Sequence, residues 1–327
     1  RQLRATSIIF RWILRRMSDA KRIKLEGRER PVIVTHSGTF HADEALAVHL
    51  LTKLPALADA ELVRTRDPAE IAKGTVVVDV GAEYRPSAHR YDHHQRGFFE
   101  TFDAEHKTKL SSAGLVWKHF GKDILAAHMQ CADSDERIPT LYRKMYDDFV
   151  EAIDGHDNGI PLYPGISDPP AYRSRTDLSS RISFMNPRWN ETWDDADLLA
   201  RFRRASKLAG TEFFERVDDA VESWLPARQL VVDALVVWMN RASASMSPAL
   251  RLADFRTALN RLHEEGDGHP GGGVDAVFGL EFLDRVAAVV AEERPITVDV
   301  FDGLTPEGGA TGNFHLLTRC CTRRTCS

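Results

Sequence analysis

The stretch "GTVVVDVG" (residues 74–81) constrains the fold more than any other. Three consecutive Val residues leave no polar face, and their branched side chains disfavour helix. The run therefore reads as a strand buried on both sides, as in parallel sheets covered by helices. It ends in Asp79, a carboxylate that would be costly at the end of a buried strand unless partnered. Neighbouring segments repeat the pattern. "PVIVTHSG" (31–38) reads as a strand running into a His and a Gly, "DEALAVHLLTKL" (43–54) as a helix, and "AELVRTRDP" (60–68) as a second strand. This alternation predicts an α/β fold with a doubly wound, mainly parallel sheet over residues 31–194.

Helical patterns follow. "KLSSAGLVWKHFG" (109–121) opens a helix with Ser111 and Ser112 at the cap. "LYRKMYDDFVEAID" (141–154) places Leu141, Met145, Phe149 and Ile153 at steps of four, an amphipathic helix. "DLSSRISFMNPRWNE" (177–191) reads as loop, 195–240 as a helical connector, and 241–327 as a C-terminal region without sustained periodicity.

Composition narrows the class. Hydrophobic content of 43% and charged content of 28% suit a globular protein, and 327 residues suggest two domains. A net charge of −5 predicts no long-range attraction to nucleic acid and leaves only local basic patches. Of the four Cys, Cys320, Cys321 and Cys326 crowd the end, leaving Cys131 alone in the body. That pattern fits neither a disulfide scaffold nor a thiolate zinc site. With no apolar run of about 18 residues, no membrane span is expected. "RQLRATSIIFRWILRRMS" (1–18) has five Arg and no acid, which reads either as a mitochondrial presequence or as sequence upstream of a start at Met17. "DAKRIKLE" (19–26) resembles a nuclear localisation signal or a solvated charge run. Residues 1–30 are set aside as a targeting segment.

Chemistry-bearing side chains gather where the expected strands end. His36, His41 and Asp43 come from "HSGTFHADE", Asp79 from the Val strand, Asp92, His93 and His94 from "YDHHQ", and Asp154 and Asp157 from "AIDGHDNG". Singly, each has an ordinary explanation: a strand-end His, a first-turn acid, an Asx turn. Adjacent His93 and His94 are the hardest to explain by packing. Ligands of α/β sheets bind outside the carboxyl ends of the strands, so joint occurrence there points to a divalent-metal site. Mixed imidazole and carboxylate donors suit Mn, Fe, Zn or Co better than Ca.

"DHH" after "VVVDVG" resembles the DHH phosphoesterase superfamily. More closely, "THSGTFHADEALA", "RTRDP", "VVVDVGAEYRPSAHRYDHHQRGFFETF", "TKLSSAGLVWKHFG", "EAIDGHDNGI" and "LSSRISFMNPRWNE" resemble the melanocyte-proliferating-gene family of exonuclease-like proteins, over residues 31–236. The resemblance implies a manganese-dependent 3′→5′ exonuclease acting on single-stranded RNA in nucleus and mitochondrion, with two Mn²⁺ (or Mg²⁺) activating water. It implies metal ligation by His36, His41, Asp43, Asp79 (bridging) and His93, with Asp154 as the last carboxylate and Asp157 in reserve. His94 would face the substrate phosphate, Asp92 would ligate or orient a His, and Arg96 or Arg90 would assist, with Ser111 and Ser112 adding donors. After residue 240 the family's substrate-domain motifs are not found, and "HPGGG" (269–273) does not replace them. Two other readings stand beside this one: a phosphatase for pyrophosphate or short nucleotides, and a metal-binding protein without turnover. Trp117, Trp189 and Trp193 could be base platforms or packing residues.

Overall fold

The computed structural model describes residues 30–165 and 172–229. The readings made for 1–29 and for 230–327, including the targeting signals and the C-terminal Cys, lie outside them. The chain divides into two units after Phe214, and the first carries the whole described sheet.

The fold is α/β, built on a small mixed sheet. Its strands are β1 (Val32–Thr35), β2 (Glu61–Arg64), β3 (Val76–Val78), β4 (Tyr84–Arg85) and β5 (Arg90–Tyr91), in the order β2-β1-β3-β5-β4. Neighbours pair in parallel except β4 with β5, an antiparallel edge. From β1 the chain steps to β2 on one side and returns to β3 on the other. Val76, Val77 and Val78 are fully buried, as their unbroken apolar run requires. The strand stops where Asp79 turns to φ 56, a left-handed conformation that few non-glycine residues adopt.

Helix α1 (Ala42–Leu51) is buried nearly all round and packs on α3 (Ser112–His128), with α2 (Pro68–Ile71) following β2. Ser111 caps α3 by accepting from the Ala113 N–H at 3.2 Å. The stretch 141–154 is not one regular helix. α4 (Arg137–Met145) and α5 (Glu151–Asp157) are joined by a π-helical turn, Tyr146–Val150. The wider turn shifts the buried stripe from Met145 to Val150, so Phe149 is only half-buried. The segment expected as loop contains α6 (Leu178–Ser183), because Asp177 caps it by accepting from the Ser180 N–H at 2.8 Å. Residues from 195 are helical as expected, in α7 (Asp195–Asp219). No described helix is long and apolar enough to cross a membrane.

Candidate metal centre

Three strand ends and one helix start meet at a point. His36 follows β1, Asp79 follows β3, Asp92, His93 and His94 follow β5, and Asp43 and Glu44 lie in the first turn of α1. Asp79 stands in the middle. Its Oδ2 lies 3.3 Å from His36 Nε2, and its Oδ1 lies 3.3 Å from His93 Nε2 and 3.6 Å from His94 Nδ1. His36 Nε2 also meets Glu44 Oε1 at 3.0 Å, and His93 Nε2 meets Asp157 Oδ2 at 3.2 Å and Asp43 Oδ2 at 4.0 Å. These side chains form overlapping groups able to hold divalent metal: His36, His41, Glu44 and Asp79; Asp79, His93 and His94; His41, Asp43 and Asp157.

The donor set fits such an ion. Buried polar atoms nearly always have hydrogen-bond partners, yet Asp79 Oδ1, Asp43 Oδ1 and both His93 nitrogens have none of proper geometry despite the short contacts. Four carboxylates also crowd one site. Burial, with Asp43 and Asp79 beside it, pushes the Asp157 carboxyl up to about 9. Burial pushes Glu44 up to about 8, against the pull of His36. Burial works against charge on His36, but hydrogen bonds to Asp79 and Glu44 prevail and raise it to about 10. Asp79 is buried too, and the two imidazoles beside it hold its carboxyl below the usual range.

These shifts give a pH dependence with a definite sign. Asp157 and Glu44 keep protons in the metal-free fold that the unfolded chain has already released, and His36 does so above its ordinary 6.5. The folded state binds more protons, so stability falls as pH rises from about 5 to 9. Metal takes only deprotonated ligands and displaces those protons. Thermal melts across this window should show the metal-free chain weakening with pH and the gain from Mn²⁺ growing with it. A pH-independent gain would contradict the ligand set.

Not every expected residue joins the cluster. Asp154 is fully buried, and its carboxylate accepts from Ser111 N–H (2.9 Å), Ser111 Oγ (2.6 Å), Gly114 N–H (3.0 Å) and Tyr146 Oη (3.0 Å). It ties α3 to the π turn, while Asp157, one turn on, reaches His93. Ser111 and Ser112 are buried with their hydroxyls on carboxylates, Ser112 Oγ donating to Asp43 Oδ2 at 2.8 Å. Arg96 is exposed, and Arg90 donates to the Ala88 carbonyl at 2.9 Å; neither lines the cleft. Trp117 is core, its Nε1 donating to the Tyr142 carbonyl at 3.0 Å.

Glu44, Arg66 and Lys109 escaped the sequence reading. The Glu44 carboxylate accepts from the His41 N–H at 2.9 Å, half of a capping box whose spacing was visible in "HADE". Arg66 and Lys109 line the cleft of about 680 Å³ that opens over the centre. Arg66 Nε donates to the Ser37 carbonyl at 3.1 Å, and "RTRDP" was the signal for it.

Asp92 holds the opening in shape. Its Oδ2 accepts from the Ala82 N–H at 2.6 Å, and its Oδ1 accepts from the His94 N–H at 3.1 Å and from His94 Nδ1 at 2.7 Å. Burial opposes its ionisation, but those bonds keep its carboxyl below the usual range. The His94 ring is raised by the bond to Asp92, is 60% exposed, and lines the cleft. Asp92→Ala should reduce metal affinity, and any turnover the centre supports, about 10- to 100-fold, the usual effect of losing an orienting partner. Steady-state kinetics of this variant beside Asp92→Asn, which keeps an acceptor, would check it.

Sequence comparisons decide the family. The family described as "Uncharacterised protein family (UPF0160)", MYG1, matches residues 32–254. The chain belongs to the MYG1/UPF0160 family. The Dictyostelium discoideum MYG1 protein is 48% identical over 240 residues, 72% of this chain and 71% of that one. The Homo sapiens MYG1 exonuclease is 50% identical over 210 residues, 63% of this chain and 55% of that one. A Saccharomyces cerevisiae MYG1 protein is 45% identical over 223 residues, covering 67% and 66%. The match thus spans little more than half the length of the mammalian relatives. No solved structure matches the chain.

Proposed function

We propose that this MYG1-family chain is a DHH-type metal-dependent phosphodiesterase that removes nucleotides from the 3′ end of single-stranded RNA. The observation that carries the reading is Asp79, whose two carboxylate oxygens face different imidazoles in a cluster with unpaired buried donor atoms. The name exonuclease borne by the human and mouse relatives supports the substrate class. Nuclear and mitochondrial location belongs to the same proposal.

His36, His41, Glu44 and Asp79 would hold one Mn²⁺ or Mg²⁺; Asp79, His93, Asp43 and Asp157 would hold a second. Bound there, such ions supply Lewis acidity and make water nucleophilic near neutral pH. The protein groups around them do the rest. Asp92 holds His94 Nδ1, so the protonated imidazole would donate from its other nitrogen, Nε2, to a phosphoryl oxygen in the cleft that His94 lines. Arg66 and Lys109 add two cations to the cleft wall, placed to offset phosphate charge. Asp154 has no role at the reacting atoms; it fixes the start of α3, from which Ser112 holds Asp43.

Degradation of labelled single-stranded RNA by the full chain, with Mn²⁺, Mg²⁺ or chelator, tests this. Stepwise loss of 3′ nucleotides, abolished by chelator, is expected. Release of phosphate from pyrophosphate alone would overturn the polymer substrate, and metal binding without hydrolysis would overturn the enzyme.

A further inference from the structure

Phe184 and Trp189 are 85% and 96% exposed, and the metal centre uses neither. Exposed aromatic rings scattered singly are ordinary, whereas rings grouped beside a cleft mark a contact surface. Two observations connect this pair to the cleft. Ser179 and Ser183 of α6 line the cleft, so the turn that starts at Phe184 begins at its rim. Asn186, between the two rings in sequence, grips Phe40: its Oδ1 accepts from the Phe40 N–H at 3.0 Å, and its Nδ2 donates to the Phe40 carbonyl at 2.9 Å. Phe40 sits in the loop between His36 and His41, so the aromatic turn is fastened to the segment that supplies metal-site side chains.

Charge along the same segment favours a polyanion. Arg173, Arg175 and Arg188 are exposed, and both acids between residues 172 and 191 are engaged, whereas the exposed Asp194, Asp195 and Asp197 follow at the start of the next helix. Asp177 caps α6, and Glu191 pairs with Arg201 at 3.2 Å. Exposed aromatics interleaved with arginines bind single strands by stacking bases and tracking phosphates.

We infer that Phe184 and Trp189 form a stacking shelf for unpaired bases of an RNA strand whose terminal phosphodiester lies in the cleft. The inference rests on the phosphodiesterase reading and sharpens its substrate class. A small phosphate has no base to stack, and a duplex hides its bases, so the shelf selects single-stranded polymer. Asn186 acts as a positioning residue that keeps shelf and centre in register.

Binding separates this from the chemistry. The full chain in chelator is titrated into a fluorescent oligoadenylate of about 12 nucleotides and read by anisotropy. Phe184→Ala with Trp189→Ala should weaken binding about 100-fold, roughly tenfold for each lost platform. Trp189→Phe should keep most of the affinity. An abasic strand of equal length should bind the unaltered chain as weakly as the intact strand binds the double variant. Hydrolysis of methyl p-nitrophenyl phosphate, which carries no base, should be unchanged in the double variant. The shelf is overturned if the double variant binds RNA like the unaltered chain, or if the unaltered chain binds no RNA or prefers duplex. It is equally overturned if the double substitution converts a dimer to a monomer, which would make the surface a contact between copies. Base-dependent RNA binding with no hydrolysis of RNA or diester in Mn²⁺ would sustain the shelf while sinking the phosphodiesterase reading.

Discussion

Asp79→Asn is expected to lower divalent-metal affinity, and with it the proposed RNA hydrolysis, by more than about 100-fold, beyond the range seen for orienting partners alone. Asn is the informative replacement because residue 79 sits at φ 56. Asn tolerates that left-handed backbone, whereas Ala would add strain. The substitution removes the charge that His36 and His93 face from either side, at 3.3 Å each, and leaves the turn intact. Metal binding by calorimetry and thermal melts of the metal-free variant would separate the two effects. Tight Mn²⁺ binding by Asp79→Asn would remove Asp79 from the centre.

Asp154→Ala should instead damage the fold. Ser111 N–H and Oγ, Gly114 N–H and Tyr146 Oη would all lose their acceptor inside the protein. Each unpaired buried group costs about 1–3 kcal/mol, so a loss of at least about 3 kcal/mol is expected from urea denaturation. Gly114→Ala should be comparably harmful, since its Cβ would collide with the same carboxylate. Asp157→Asn should behave oppositely. Asn stays neutral beside Asp43 and Asp79 without taking up the proton that Asp157 must bind on folding, so the metal-free chain near pH 8 should hold or gain stability while losing metal affinity. Equal destabilisation by Asp154→Ala and Asp157→Asn would contradict this division of roles.

The contrast between Asp154 and Asp157 shows where the sequence stopped informing. Both sit in "AIDGHDNG", three residues apart and near one helical face. Only the packing of α3 and the π turn assigns one to a structural carboxylate and the other to the centre. The π turn has no clear signature in "YRKMYDDFVEAID", since one extra residue per turn leaves the apolar spacing readable as a regular helix. By contrast, His36, Asp43, Asp79 and His93 were legible because the sheet delivers strand ends to one edge, and strand ends can be read from Val-rich runs. Glu44 was hidden by its resemblance to an ordinary first-turn acid. Arg66 and Lys109 come from different loops, and their convergence depends on tertiary folding. The stretch 177–191 read as loop because Ser180, Ser183 and Asn186 are weak helix formers, yet the Asp177 cap and the buried Ile182 suffice for α6.

Everything proposed for the chemistry depends on these side chains making a divalent-metal centre organised on Asp79. Mn²⁺ can be titrated calorimetrically into the metal-free full chain near pH 8, in two buffers of different ionisation enthalpy. Saturable binding of two ions with net release of protons is expected, and Asp79→Asn should lose it. Absence of saturable binding, or binding that releases no protons and survives Asp79→Asn, would mean that no such centre exists.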